Sequence, residues 1–188
     1  ATTLTAGLRL EQREARYRDS DGAAFTPRDR MWGGELSFSR ALGGSAQAWV
    51  SVSRGFKAGG FNIGAAIPDE RLQFDPEYAI SLEGGVKGRW DALGLSADVS
   101  VYHLRREDQQ VATSFQLDPQ DPLTFVFYND NAARGRATGL EGSLAWQATP
   151  RWLLAGSLTL MESEYLGYRF GDRDLDGRDW AHAPGWRY

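Results

Sequence analysis

Cysteine is absent from this 188-residue chain. That excludes a disulfide framework, a thiolate metal site and a cysteine nucleophile, although absence alone fixes no redox compartment. Histidine is nearly absent: only His103 and His182 occur, in different sequence elements, and nothing assembles a nucleophile–base pair around either. No run of about 18 apolar residues exists, which removes a transmembrane helix. There is no excess of positive charge. The formal net charge is −4, so the chain has no basic field that would gather nucleic acid. A Walker pattern is missing too, and Gly55, Gly59 and Gly60 lack the strand–glycine–helix context that would cradle phosphate. The expectation is a protein that is not an enzyme and carries no cofactor.

What is present points one way. The chain holds 22 glycines, seven tryptophans, seven tyrosines and nine phenylalanines, and its hydrophobic fraction is 41%. With a mean hydropathy of −0.47, that mixture suits a β-rich wall with one polar face better than a helical enzyme. Period-two alternation runs through most of the sequence. Leu4, Ala6, Leu8 and Leu10 oppose Thr5, Gly7, Arg9 and Glu11, and Trp32, Leu36 and Phe38 oppose Glu35, Ser37 and Ser39. Ala48, Val50 and Val52 alternate with Trp49, Ser51 and Ser53. Between Glu77 and Trp90, the residues Tyr78, Ile80, Leu82, Val86 and Trp90 share a face against Ser81, Glu83, Lys87 and Arg89. The pattern returns at Leu95–Tyr102, at Thr138–Gln147 and, less cleanly, at Trp152–Tyr168.

Connections fall into two alternating classes. Leu42–Ser45, Asp91–Gly94 and Ala148–Arg151 are short, whereas Arg18–Arg30, Lys57–Gln73, Gln116–Asn131 and Arg169–Ala183 are long and polar. Strict alternation of short and long connections predicts an outer-membrane barrel with tight periplasmic turns and longer extracellular loops. Trp49, Trp90, Trp146 and Trp152 stand beside the short turns and are expected to form an aromatic girdle. Pairing between residues 111 and 135 is not fixed by the pattern.

Ordered motifs carry a family resemblance over nearly the whole chain. Ser51-Val52-Ser53-Arg54-Gly55-Phe56-Lys57-Ala58-Gly59-Gly60-Phe61-Asn62 resembles the outer end of a barrel strand in TonB-dependent outer-membrane receptors. Leu4–Leu10, Phe74-Asp75-Pro76-Glu77-Tyr78, Leu82-Glu83-Gly84-Gly85-Val86-Lys87, Asp108–Val111, Asn129–Ala133, Gly139–Gly142 and Gly177–Pro184 resemble further family segments in the same order. The resemblance implies an all-β fold: a membrane β-barrel fragment of about 7–8 antiparallel strands out of an expected 22 or so. Residues 1–188 would be a partial receptor barrel domain, with the plug domain and remaining strands outside the chain and both ends read as cuts in a longer one. It implies a place in a Gram-negative outer membrane and contact with outer-membrane lipid. It also implies uptake of a small metal chelate, foremost a ferric siderophore, with the TonB complex engaged through the plug.

Under that resemblance the ligand-binding candidates are Arg54, Lys57, Phe61, Asn62, Arg105 and Arg106: guanidinium and ammonium donors for chelate oxygens, and an aromatic to cover an apolar surface. Arg54 has a competing role, since its strand parity is that of the lipid side, where it would snorkel to headgroups. Glu83, Lys87, Arg89, Asp98 and Glu141 read as lumen wall. Asp172, Asp174 and Asp176 begin like a calcium loop, but the twelfth position is Ala183, so the bidentate glutamate is missing and no metal site is expected. The alternatives are a complete eight-stranded outer-membrane barrel with a structural or adhesive role, and a soluble β protein.

Overall fold

The computed structural model describes residues 1–20, 22–64, 66–170 and 173–188. Eight antiparallel strands make one sheet in chain order. They are β1 (Thr2–Glu14), β2 (Arg28–Leu42), β3 (Ala46–Lys57), β4 (Glu77–Trp90), β5 (Leu95–Gln116), β6 (Phe125–Thr149), β7 (Trp152–Leu166) and the short β8 (Trp186–Arg187). Every neighbour in sequence is a neighbour in the sheet, so the topology is a plain up-and-down meander. Such a meander puts the short turns at one end and the long loops at the other. Gly43 and Gly94 adopt positive φ of 68° and 61° in two of those turns, a region open to glycine at little cost.

Register sorts the side chains into two faces. Leu4 pairs with Phe38, Phe38 with Val50, Val50 with Gly84, Gly84 with Val101, Val101 with Leu140 and Leu140 with Leu160. One position along, Ser37 pairs with Ser51, Ser51 with Glu83, Glu83 with Tyr102 and, across the next strand, Ser100 with Glu141. Directly opposite residues share a face, so the first set is a continuous apolar surface and the second a polar one. The apolar surface is bare: Leu8 is 72% exposed, Leu82 54% and Val101 55%. Among the described residues the only buried apolar side chains are Met31, Ile67, Leu72, Ala137 and Tyr168. The sheet therefore has no interior of its own. An apolar face of this extent needs an apolar neighbour.

The polar face is the concave one. Thr3, Ser39, Gln47, Lys87, Asp98 and Ser143 line a trough of about 1090 Å³ on that side. Lys87 and Asp98 stand directly opposite each other there. The sheet is open, with β1 and β8 at its two ends and not paired with each other. Eight strands thus do not close on themselves, against the alternative of a complete small barrel.

Two sequence expectations change. The connection between β5 and β6 is 117–124 alone, not Gln116–Asn131, because Phe125↔Gln116 through Asn131↔Gln110 pair in register before irregularities at Asn131/Ala133 and Ala133/Gly135. At 22 and 25 residues, β5 and β6 far exceed the roughly 9–11 that cross a bilayer, so they extend beyond the apolar face. Trp49 is the second change. It pairs with Ser39 and Gly85 on the polar face, whereas Trp90 and Trp146 pair with Leu95 on the apolar one. A girdle needs side chains toward lipid, and Trp49 has the wrong parity. Trp152 is 66% exposed, and the register shift between Gln147 and Thr149 places it opposite Thr149.

Candidate functional site

The loop end of the sheet is built by side chains that hold loops to strands. The segment after β3 turns back as a small ladder, Gly60–Phe61 against Gln73–Phe74. Its glycines are required by close approach. A Cβ on Gly59 would lie 2.4 Å from the Phe74 carbonyl oxygen, and one on Gly60 2.5 Å from the Phe74 ring. Asn62, 5% exposed, then acts as a piece of backbone. Its amide donates to the Arg71 carbonyl at 2.7 Å and the Asn129 carbonyl at 2.8 Å, and its oxygen accepts from the Asn129 N–H at 2.8 Å.

Further along β6, Asn131 repeats the device. Its Nδ2 donates to the carbonyls of Asp75 (2.9 Å) and Asp108 (2.8 Å), and its Oδ1 accepts from the Asp75 N–H at 2.6 Å. Gln110 on β5 donates to the carbonyls of Ala58 and Asp75 at 2.9 and 3.0 Å. Arg71 pairs with Asp130 beside the Tyr128 ring, whose centroid is 5.5 Å from the guanidinium carbon. The result is a fixed platform of loop 58–76 on the outer halves of β5 and β6.

A second loop covers the outer end of β6 and β7. Trp180 donates from its indole to the Glu164 carbonyl at 2.9 Å and lies where a Cβ on Gly135 would be, 2.7 Å away. Arg106 stands 5.3 Å from the Trp180 ring centroid, and its Nε donates to Glu77 Oε1 at 2.6 Å. Glu77 also accepts from the Gln110 N–H at 3.0 Å. Nearby, burial pushes the Tyr168 phenol up, with Tyr165, Asp130 and Tyr128 adding to the effect. The connection between β1 and β2 joins loop 58–76 through rings: Tyr17 stacks on Phe25 at 4.7 Å, and Phe61 lies 4.9 Å from Tyr17 and 5.7 Å from Phe25.

Against this geometry the six sequence candidates separate. Lys57 is exposed at the top of β3. Phe61 belongs to the aromatic trio, and the platform brings these two to one region. Asn62 is buried and both its amide hydrogens are taken by backbone carbonyls, so it has no donor left for chelate oxygens. Arg106 is held by Glu77 and Trp180. Arg54 and Arg105 lie on the apolar face, both paired in register with Ile80. Arg54 is half-buried there, its guanidinium carbon 4.2 Å from the Trp32 ring centroid and 4.1 Å from that of Tyr78.

The proposed wall residues Glu83, Lys87, Arg89, Asp98 and Glu141 all fall on the polar face by register, with Arg89 paired to Asp91 of the adjoining turn at 2.7 Å. Of the calcium candidates, Asp172 lies outside the described residues. Asp174 accepts from the Asp176 N–H (3.0 Å) and Asp176 from the Gly167 N–H (2.6 Å), so both are used in local turns. No group of three potential metal ligands occurs among the described residues. Sequence reasoning missed Tyr17, Phe25, Gln110 and Asn131. The first two carry a signal, being aromatics flanking a polar Asp- and Gly-containing turn; the amide clamps carry none.

A family model described as TonB dependent receptor-like, beta-barrel, matches residues 1–188. Among solved structures, the fold is similar to the ferric yersiniabactin uptake receptor FyuA from Yersinia pestis, at 22% identity and a TM-score of 0.62, covering 77% of this chain and 20% of that one. It is similar to the copper transporter OprC at 18% identity and a TM-score of 0.65, covering 87% and 27%. It is also similar to the siderophore receptor PirA from Pseudomonas aeruginosa at 20% and 0.62, covering 87% and 32%. The chain spans well under half the length of each.

Proposed function

The chain belongs to the TonB-dependent receptor β-barrel family, and from that premise we propose that it is one arc of a larger closed barrel that imports a ferric siderophore or similar chelate across a Gram-negative outer membrane. The observation that carries this reading is the pairing of a bare apolar face with a concave polar face on one open meander. Lipid covers the first and the lumen lies against the second. Further strands would complete the sheet, since each unpaired backbone group at an edge in lipid costs several kcal/mol. Glu83, Lys87, Asp98 and Glu141 then line the lumen and face the plug, through which the TonB complex acts.

The loop platform is the outer mouth. Its hydrogen bonds fix the loops before any solute arrives, which lowers the ordering cost of binding. Lys57 supplies an exposed cation for chelate oxygens, and the Phe61 trio an aromatic surface beside it. The test is uptake by the intact receptor containing this chain, in cells lacking their own ferric-chelate receptors, with radiolabelled iron offered as a panel of siderophores. Iron accumulation that stops when the proton gradient is collapsed is the expected result. Accumulation of copper and no iron would sink the siderophore assignment and leave the family membership intact.

A further inference from the structure

The outer parts of β5 and β6 stand clear of the sheet. β4 pairs with β5 only as far out as Tyr78↔Glu107, and β7 pairs with β6 only as far as Arg134↔Leu166. Residues 108–133 therefore form a two-stranded arm beyond both neighbours. Phe127 lies thirteen residues past Leu140, where the apolar run of β6 ends, or about 40 Å of strand. Lipid does not account for apolar side chains so far out, yet Phe125 is 48% exposed, Phe127 75% and Leu123 89%. Loop 58–76 covers the other face of the arm, where Arg71 meets Tyr128 and Asp130.

Hydrogen-bond phase shows what the edge of the arm offers. The Leu117 N–H donates to the Thr124 carbonyl at 2.8 Å. Antiparallel bonding alternates from there, so Phe115 bonds Val126 and Thr113 bonds Tyr128, while Phe125, Phe127 and Asn129 turn N–H and C=O outward. Asn129 bears out the phase, because the Asn62 carboxamide takes both of its outward groups. Among the described residues nothing takes those of Phe125 or Phe127. The usual guards of an edge strand are missing, since residues 125–131 contain neither lysine nor proline. Charge is one-sided as well: residues 107–133 hold five carboxylates and no lysine, arginine or histidine. Glu107 and Asp130 are paired with Arg105 and Arg71, which leaves Asp108, Asp118 and Asp121 without a cation among the described residues.

We propose that the Phe125–Phe127 edge of β6 is a docking strip for an extended cationic peptide segment of another molecule, added as one further antiparallel strand. Two free rungs supply four backbone hydrogen bonds in the mode of strand addition, and alternate apolar side chains of the guest lie against the Phe125 and Phe127 rings. Asn62 already occupies the next rung, so the strip has a defined inner end. An antiparallel guest starts beside Asn62 and finishes near Asp118 and Asp121 in the turn, which places its cations on the C-terminal side of its apolar residues. A second copy of this chain is the poorer occupant. In one membrane a two-fold axis along the normal sets β6 against β6 in parallel, and a parallel partner does not return both bonds to one residue. The proposal rests on the outer-membrane reading above.

The experiment uses the intact receptor containing this chain in nanodiscs. The probe is a fluorescein-labelled peptide of alternating valine and threonine that ends in two arginines. Fluorescence anisotropy is expected to show saturable binding. Guest residues whose side chains meet the phenylalanine rings are the ones whose N–H faces β6. N-methylation of the valines should therefore weaken binding by about tenfold, the scale of two lost hydrogen bonds. N-methylation of the threonines should leave it unchanged. Glutamates in place of the two arginines should weaken it by about tenfold as well. Phe127→Pro deletes one rung donor that the β5 ladder does not use, and should have a comparable effect.

Equal loss from the two N-methylated peptides, or loss from neither, overturns the proposal, and that comparison needs no variant to fold. Absence of saturable binding of the unmodified peptide overturns it too. Equal or tighter binding of the glutamate peptide overturns the cationic assignment. Cross-linking of Phe127→Cys between two copies in one nanodisc would put a second chain on the edge and overturn the peptide as occupant. Labelling of Phe127→Cys on whole cells by a membrane-impermeant maleimide separates the two readings. A protein that escapes the label refutes the outer-membrane reading, whereas a labelled one without phase preference refutes only this proposal.

Discussion

The carboxamide of Asn62 and the backbone of Asn129, 67 residues apart, exchange two hydrogen bonds of 2.8 Å each. This is the reciprocal pattern of a β-bridge, made by a side chain. It extends the sheet's pairing sideways to a loop and explains why loop 58–76 is docked on β6.

Asn62→Ala removes both bonds and a third to Arg71, and leaves the Asn129 N–H and C=O without their partner. At roughly 1 kcal/mol net per bond and more for the stranded groups, local opening of the loop should become easier by about 2–4 kcal/mol. Hydrogen exchange at the Asn129 amide and protease cleavage between residues 58 and 76 should both accelerate, with the membrane-spanning amides unaffected. Unchanged exchange at Asn129 would refute the clamp.

Face assignment yields an opposed pair. Val50→Arg places a charge in the middle of the apolar face and should cost about 2–4 kcal/mol in folding into vesicles. Ser51→Arg, one residue on, puts the same group opposite Glu83 and should cost less than about 1 kcal/mol. Equal effects from the two substitutions would contradict the register.

Gly85 faces the concave side, where an added Cβ would lie 2.6 Å from the Val99 carbonyl oxygen. Because that atom is backbone, relief requires β4 and β5 to shift. Gly85→Val should destabilise by about 1–3 kcal/mol; Gly7→Val, with nothing within 4 Å of its Cβ, is the matched control. Urea midpoints of vesicle-inserted protein would measure both.

Glu77→Gln leaves Arg106 without an anion. The Glu77 side chain is 7% and that of Arg106 27% exposed, so screening is partial and the loss should be on the order of 3 kcal/mol. Since Arg106 supports the Trp180 ring, quenching of tryptophan emission by iodide should rise as loop 167–185 loosens. A variant with unaltered quenching would show that Trp180 is held by Glu164 and Ser163 alone.

Alkali acts on Tyr168. Burial favours its neutral form and raises the phenol above the ordinary value of about 10. The contribution to stability is therefore complete below pH of about 10 and is lost as pH climbs through the higher folded value. Tyrosinate absorbance should show a late-titrating component that is lost in Tyr168→Phe. Titration of all rings together would count against its burial.

Much of the framework was legible in the sequence. Alternation fixes which residues share a face, and turn chemistry fixes where strands end; both are local, so Glu77–Trp90 and the short turns could be read directly. Parity alone already puts Arg54 with Val52 and Trp49 with Ser51. What only the tertiary structure decided is which strand positions meet across the sheet. Asn62 reaches Asn129 and Arg106 reaches Glu77 and Trp180 because register and loop docking bring together residues far apart in the chain. An asparagine that mimics backbone has the same local pattern as one free to bind a solute, and an arginine between two rings the same as one reaching into a lumen. Their roles depend on the partners that folding places beside them.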